Sequence, residues 1–275
     1  MEDKINYLLT NYGIDDQRTQ AWFTKRGEML TASEIWKCFG DATAGARREL
    51  IMSKLATPKK QDGSGVGALI WGTRFEPVAK EIYCHTQGVK LVDLSCVRHP
   101  EYAFIGASPD GLILSDDHRN GRLIELKCPI SRIFTNDTPV PDAYYHQMQL
   151  QIECTGLQEC DYVEMQFKTM NYSEWEQYTA EFKSCFAVDS SGNVKYRHIT
   201  DTSTIHEWQM TTLGDPMEWQ ILYWVLVQKR EKLIVKDPDW MPMHFPEMKA
   251  TWDEIVQHRE AGTTPQVKDK PILVL

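Results

Sequence analysis

Basic charge is scarce in this chain. Lys and Arg number 30 against 39 Asp and Glu over 275 residues, a formal net charge of −9. A protein that coats nucleic acid regardless of sequence must neutralise many phosphates, so that class is disfavoured. An enzyme acting on nucleic acid is not excluded, because acidic metal ligands add to the negative count and basic residues can be concentrated on one face. Long apolar runs are also missing: the longest, near Ile221 to Val227, is too short to span a bilayer. The opening MEDKINYLLTNYG has no basic segment followed by a long apolar one, so neither a membrane nor a secretory route is expected. The seven cysteines are odd in number and show no repeated close pairing, which predicts free thiols in a reducing compartment rather than a disulfide framework. Cys96 with His99, and Cys154 with Cys160, make no four-ligand zinc set. QDGSGVG (61–67) lacks the following Lys-Ser/Thr and the preceding strand of a phosphate-binding glycine loop. No internal repeat or low-complexity segment is present.

What is present suits a folded protein. A hydrophobic content of 42% with nine Trp is ample for a core, and the expected organisation is one domain over 1–275. Trp208, Trp219, Trp224, Trp240 and Trp252 read as core, since they lack the interleaved basic residues of a base-stacking platform. The first ninety residues read as helices. Asp15 or Asp16 can cap QRTQAWFTKR, Thr31 or Ser33 can cap ASEIWKCF, and ALIWGTRFEPVAKEIYCHTQG has helical apolar spacing with Gly88 as a stop and Pro77 as a start or bend. From about residue 89, VKLVDLSCV, YAFIGAS, GLILS and RLIELKC are short strand-like runs, with DDHRNG as a hairpin loop. PDAYYHQMQLQIECTG then reads as a helix ending at Gly156, and CDYVEMQF and EWEQYTAEF as strands. WQILYWVLVQKREKLIVKD fits strand or helix, and DPDWMPMHFPEMKATWDEIVQHRE is expected to end in a helix from about Pro246. The order predicts an α/β (α+β) fold with a central mixed β-sheet flanked by helices.

The chemistry concentrates in IGASPDGLILSDDHRNGRLIELKCP (105–129). Side chains two apart on a strand share a face, so Glu125 and Lys127 project together while Ile124 and Leu126 face apolar packing. Asp110 sits in a Ser-Pro-Asp-Gly turn entering the strand that pairs with the one carrying Glu125. Two carboxylates from neighbouring strands can converge on one hard cation, Mg²⁺ or Mn²⁺. Such a cation suits phosphodiester cleavage, because it can activate water and stabilise both the phosphate and the leaving oxygen. Lys127 would orient the water or neutralise charge; acting as a proton acceptor would need a lowered pKa. Taken singly, a Glu/Lys pair or a Pro-Asp-Gly turn is ordinary surface chemistry. GARRELIMSKLATPKK (45–60), with five basic residues against one acidic, reads either as a solvated helix face or as a phosphate-contacting patch.

The joint pattern, an Asp in a tight turn, a short hairpin, then apolar-Glu-apolar-Lys, resembles the PD-(D/E)xK nuclease superfamily. RGEMLTASEI, WGTRFEPVAKEIY, GASPDGL, IELKCP and AYYHQMQLQ occur in the order found in its lambda-exonuclease-like, or YqaJ-type, viral recombinase family. The resemblance covers roughly residues 20 to 170 and leaves the C-terminal region less certain. It implies that Glu76, Asp110 and Glu125, with the Leu126 carbonyl, are metal ligands, that Lys127 is the catalytic lysine, and that Gln147 stands beside the catalytic centre. By chemistry alone Gln147 and Gln149 are equivalent; the motif register favours Gln147. Arg26, Ser33 and Ser108 match positions that hold a terminal 5′-phosphate, a role suited to a guanidinium fork and hydroxyls. Ser33 could also simply cap a helix, Glu76 could be a solvated helix residue, and Cys128 reads as a small core residue. Some relatives carry an additional Asp before the turn, where this chain has Pro100-Glu101.

The function so implied is a Mg²⁺-dependent exodeoxyribonuclease, with Mn²⁺ as a substitute, that degrades double-stranded DNA from an end in the 5′ to 3′ direction and leaves a 3′ single strand. The resemblance further implies a single-strand annealing protein as partner, a homotrimeric ring, and an intracellular setting in a phage- or virus-infected host. An endonuclease with the same metal site, and a catalytically silent DNA-binding module, are the rival readings.

Overall fold

The computed structural model describes residues 1–14, 16–57 and 67–266. In chain order its elements are α1 (Glu2–Tyr12), α2 (Gln20–Gly27), β1 (Leu30–Thr31), a 3-10 helix (Ala32–Cys38), α3 (Ala44–Leu55), α4 (Ala68–Gln87), β2 (Lys90–Val92), β3 (Val97–Arg98), β4 (Ile105–Ala107), β5 (Gly111–Leu114) and β6 (Leu123–Lys127). The second half adds α5 (Asp142–Thr155), β7 (Glu159–Met170), α6 (Tyr172–Gln177), β8 (Lys183–Asp189), β9 (Val194–Tyr196), α7 (Ile205–Thr212), a 3-10 turn (Pro216–Glu218), β10 (Trp219–Val235) and α8 (Trp240–Ala261). Seven strands form a mixed sheet in the order β2-β5-β6-β7-β10-β8-β9, and β1-β4-β3 make a smaller one. In the large sheet β6 and β7 run parallel, joined through α5, and the other pairs are antiparallel.

Alternation along β6 sorts its side chains between two cores. Leu123 packs with Met148, Leu150 and Ile152 of α5 and, further out, Trp240 and Ile255 of α8. Ile124 and Leu126 pack on the opposite face against Phe75, Val78, Ala79 and Ile82 of α4. β6 is buried on both faces, at four of its five positions, although Glu125 is one of them. The site therefore lies at the end of a strand held from both sides. Gly88 and Gly156, both left-handed at φ 66°, end α4 and α5, as their positions predict.

Several local expectations change. Thr19, not Asp16, caps α2, its side chain accepting from the Trp22 amide; Asp15 and residues 61–66 of the glycine-rich stretch lie outside the described residues. Thr31 caps the 3-10 helix, with its amide and hydroxyl both donating to Glu34 Oε1 (3.2 and 2.7 Å), which frees Ser33 for another partner. α4 runs unbroken through Pro77. The predicted strand EWEQYTAEF is not one: Asn171 Oδ1 accepts from the Glu174 amide at 2.9 Å and starts α6 instead, and the strand begins only at Lys183. β10 resolves the ambiguous run as a strand of 17 residues, because β7 and β8 pair with it on both sides. α8 starts at Trp240, six residues before Pro246, and carries that proline inside it. Trp208, Trp224 and Trp240 are buried, and all seven cysteines are unpaired. Among the described residues no helix is long and apolar enough to cross a membrane.

Candidate active site

The hairpin of β5 and β6 brings its polar residues together through backbone register. Gly111 lies opposite Ile124, and the Asp110 amide donates to the Ile124 carbonyl at 3.2 Å. The Asp110 carboxylate then crosses to β6, where Oδ2 accepts from the Leu126 amide at 2.7 Å. Glu125, on the face away from α4, is only 1% exposed. An ionised carboxylate at that depth needs every lone pair answered. Lys127 forms an ion pair with Oε1, Gln147 Nε2 donates to Oε1 at 2.7 Å, and Gln151 Nε2 donates to Oε2 at 2.6 Å. Gln147 and Gln151 are one turn apart on α5, so a single helix face clamps both oxygens. Gln149 points elsewhere: its amide bonds the Val235 carbonyl (2.8 Å) and the Asp237 amide (3.0 Å), which separates it from Gln147.

Around β6 negative charge is in surplus, because Asp110 and Glu125 share one ammonium, Lys127, while Glu76 has cations of its own. Burial, then Glu125, then Glu76 push the Asp110 carboxyl well above the usual carboxylate range. Burial alone would lower Lys127, but Glu125 and Asp110 outweigh it and hold the ammonium above its ordinary pKa. In this arrangement Lys127 is a fixed positive charge rather than a proton acceptor. Its Nζ also lies 4.5 Å from the centroid of the Tyr144 ring, which covers it. Burial likewise raises the Cys128 thiol, which keeps it protonated. Glu76 of α4 pairs with Arg18, and Lys80 Nζ stands 3.3 Å from its second oxygen.

Among the described residues no three carboxylate, imidazole or thiol groups converge closely enough to enclose a metal ion as they stand. The donor chemistry nevertheless fits a hard divalent cation: Asp110 is a half-buried carboxylate whose charge two further carboxylates disfavour, and a cation among their oxygens would relieve that repulsion. Glu76, Asp110, Glu125 and the Leu126 carbonyl could hold it, once Glu76 turns from Arg18. Glu101 lies exposed in the turn before β4, where its amide donates to His99 Nδ1 at 3.1 Å.

The three residues predicted to hold a phosphate also gather. Arg26 Nη2 donates to Ser33 Oγ at 2.9 Å, and Trp22 Nε1 donates to Ser108 Oγ at 3.2 Å. Trp22 joins the two halves, because the Arg26 guanidinium lies 4.3 Å from its ring centroid. The basic stretch after residue 45 mostly serves the fold. Arg47 pairs with Glu254, Arg48 bonds the Pro265 carbonyl at 3.3 Å, and buried Lys54 pairs with Glu34 and donates to the Arg26 carbonyl at 3.1 Å. Lys59 and Lys60 lie outside the described residues.

Gln151, Trp22 and Arg18 join the site without being singled out by the motifs. The four-residue spacing from Gln147 on a helix was a usable signal for Gln151. Trp22 and Arg18 carried no signal, since their partners are distant in sequence.

An Asp turn followed by Glu and Lys on the paired strand of a mixed α/β sheet is the arrangement of the PD-(D/E)xK superfamily. A family model for the YqaJ-like viral recombinase domain matches residues 21–158, half of the chain, and the chain belongs to that family. A relative from Acanthamoeba polyphaga mimivirus, an uncharacterized protein, is 26% identical over 182 residues, which is 60% of this chain and 32% of the relative. The chain thus spans about a third of the length of that curated relative. The fold is shared with the crystal structure of an alkaline exonuclease from Laribacter hongkongensis (TM-score 0.53, 24% identity, covering 88% of this chain and 95% of that one). The same enzyme in complex with dAMP gives TM-score 0.53 and 23% identity over the same shares.

Proposed function

We propose that this chain is a divalent-cation-dependent nuclease that degrades duplex DNA from its ends, 5′ to 3′, leaving 3′ single strands for recombination or replication. The observation that carries the reading is the buried Glu125, clamped by Lys127, Gln147 and Gln151 beside an Asp110 that burial and its neighbours disfavour as an anion. A divalent cation, Mg²⁺ or Mn²⁺, held by Glu76, Asp110, Glu125 and the Leu126 carbonyl would supply Lewis-acid activation of water and charge neutralisation at the phosphate. The protein does the rest. Gln147 and Gln151 fix the rotamer of Glu125, so that its oxygens are already oriented when substrate arrives. Lys127, kept protonated by its carboxylate neighbours, places a positive charge where the phosphate gains negative charge. Arg26, Ser33 and Ser108 present a guanidinium and two hydroxyls suited to a terminal 5′-phosphate, with Trp22 bracing them.

The family supports the recombinase setting, and the fold neighbour is itself an exonuclease. A homotrimeric ring would let an acidic protomer keep its grip on DNA by topology, and a single-strand annealing protein would receive the exposed 3′ strand. The mimivirus relative favours a virus-infected cell as the setting. The test is digestion of linear duplex DNA bearing a 5′-phosphate, against covalently closed circular DNA, with Mg²⁺ or EDTA, for wild type and Lys127→Ala. Cation-dependent loss of the linear substrate alone, absent in the variant, is expected. Cutting of the circle would make the chain an endonuclease, and no cutting of either would leave a DNA-binding module. A monomer in sizing experiments with and without DNA would remove the ring.

A further inference from the structure

Arg18 lies in the turn before α2 with a left-handed backbone (φ 65°), and among the described residues no other non-glycine has positive φ. That region disfavours any residue with a Cβ. The flanks nonetheless hold it there. Gln17 Nε2 donates to the carbonyls of Leu94 and Pro109, each at 3.1 Å, which fastens the turn to the segment carrying Asp110. Asp16 Oδ2 accepts from Ser95 Oγ at 2.8 Å, and Thr19 Oγ1 donates back to the Asp16 carbonyl at 2.7 Å. With both neighbours fixed, the Arg18 side chain reaches Glu76 of α4 and forms an ion pair with Oε2. Arg18 is 44% exposed and Glu76 16%, so the pair stands at the mouth of the site, not on its floor.

We propose that Arg18 is an exchangeable counter-ion: it holds Glu76 in the DNA-free chain, and on substrate entry its guanidinium turns to a strand phosphate and leaves Glu76 to the divalent cation. This rests on the nuclease reading above. A guanidinium fork matches carboxylate and phosphate alike, so the exchange preserves the type of contact while changing the partner. A cation and a guanidinium at Glu76 repel each other and compete for the same oxygen lone pairs, so Arg18 lowers cation affinity until a phosphate draws it away. Phosphate and cation then bind with positive coupling, and the coupling is reciprocal. Arg26 has a different job, because Ser33 and the Trp22 ring already engage its guanidinium.

The experiment is Mn²⁺ binding to the full chain by calorimetry, with and without a 5′-phosphorylated duplex protected by phosphorothioate linkages, for wild type, Arg18→Gln, Arg18→Gly and Glu76→Gln. Arg18→Gly guards against misfolding, because glycine adopts the left-handed backbone freely. Without DNA, both Arg18 variants are expected to bind Mn²⁺ about five- to tenfold more tightly than wild type, the lower range of a site-to-site coupling. The tightening of Mn²⁺ binding by DNA, present in wild type, falls towards none in both. Unchanged or weaker Mn²⁺ binding by the Arg18 variants, with Glu76→Gln still weakening it, overturns the counter-ion role and leaves the metal site standing. No Mn²⁺ binding by wild type, or full affinity in Glu76→Gln, overturns the metal site and this role with it.

Discussion

Two buried glutamates on neighbouring strands of the same sheet have opposite surroundings. Glu164 of β7, 0% exposed, lies opposite Lys127 of β6 on one side and Arg230 of β10 on the other. Arg230 Nε donates to it at 2.8 Å, Arg132 forms a second ion pair with it, and the Tyr162 hydroxyl donates at 3.0 Å. Two guanidinium groups answer one carboxylate. Glu125, 1% exposed, has one ammonium and two amides, and it shares its surroundings with Asp110 and Glu76. Burial is therefore no mark of function in this sheet. The charge balance separates them: a carboxylate that ties strands together is over-neutralised, and a group that can receive a cation is left with negative charge in surplus.

The largest effect expected is at the neutralised site. Glu164→Gln leaves the buried Arg230 guanidinium with unanswered charge, takes the partner from the partly exposed Arg132, and should lower the unfolding free energy by about 3–5 kcal/mol. Urea denaturation measures this, and the protein still folded should retain cation-dependent nuclease activity. A stable but inactive Glu164→Gln protein would erase the distinction. Next is Lys127→Ala, which should lower the cleavage rate about a hundred- to a thousandfold, the usual result of removing one preorganised electrostatic group. It also strips the buried Glu125 of its ammonium, so stability should fall too, but by less than in Glu164→Gln, because Gln147 and Gln151 still donate to both carboxylate oxygens. A loss as large as that of Glu164→Gln would make Lys127 a structural tie as well. Third is the cation itself. Mn²⁺ at about a hundred times its Kd should raise the unfolding free energy by about 2.7 kcal/mol. Glu164→Gln should keep that increment and Glu125→Gln should lose it, as read by thermal melts with Mn²⁺ or EDTA.

The parts of this molecule legible in sequence are those where local periodicity and chemistry coincide. α4 and α5 are stopped by Gly88 and Gly156, and the alternation Ile124-Glu125-Leu126-Lys127 shows which pair leaves the apolar face. Gln147 was legible only through its motif, since Gln149 has the same chemistry and the two part only where α5 meets β6 on one side and Val235 on the other. α6 departs from the strand expected there because aromatic residues in EWEQYTAEF carry strand propensity, while the cap from Asn171 decides the first turn. β10 was undecided until its two neighbours were in place. Arg18 and Trp22 were invisible for the same reason: their partners, Glu76 and Ser108, lie 58 and 86 residues away.

The smallest effect is the most discriminating, because it has opposite signs at the two sites. The Asp110 carboxyl is raised in the fold by burial, Glu125 and Glu76, so over the range between its unfolded and folded pKa the native state binds more protons than the unfolded one. Stability then falls as pH rises through that window and stays lower above it. Asp110→Asn has no proton to release, keeps an oxygen to accept from the Leu126 amide, and should be more stable than wild type by about 1 kcal/mol at neutral pH in EDTA. Thermal melts across pH should show the gap opening as pH rises, and Mn²⁺ should close it by stabilising wild type alone. The same variant should be inactive. A substitution that gains stability while abolishing cleavage is expected of a group kept at some cost to the fold, and Glu164→Gln should do the reverse on both counts. If Asp110→Asn were destabilised in EDTA at neutral pH, the surplus negative charge would not be a burden on the fold, and the contrast between the two glutamate sites would have to rest on contacts rather than charge.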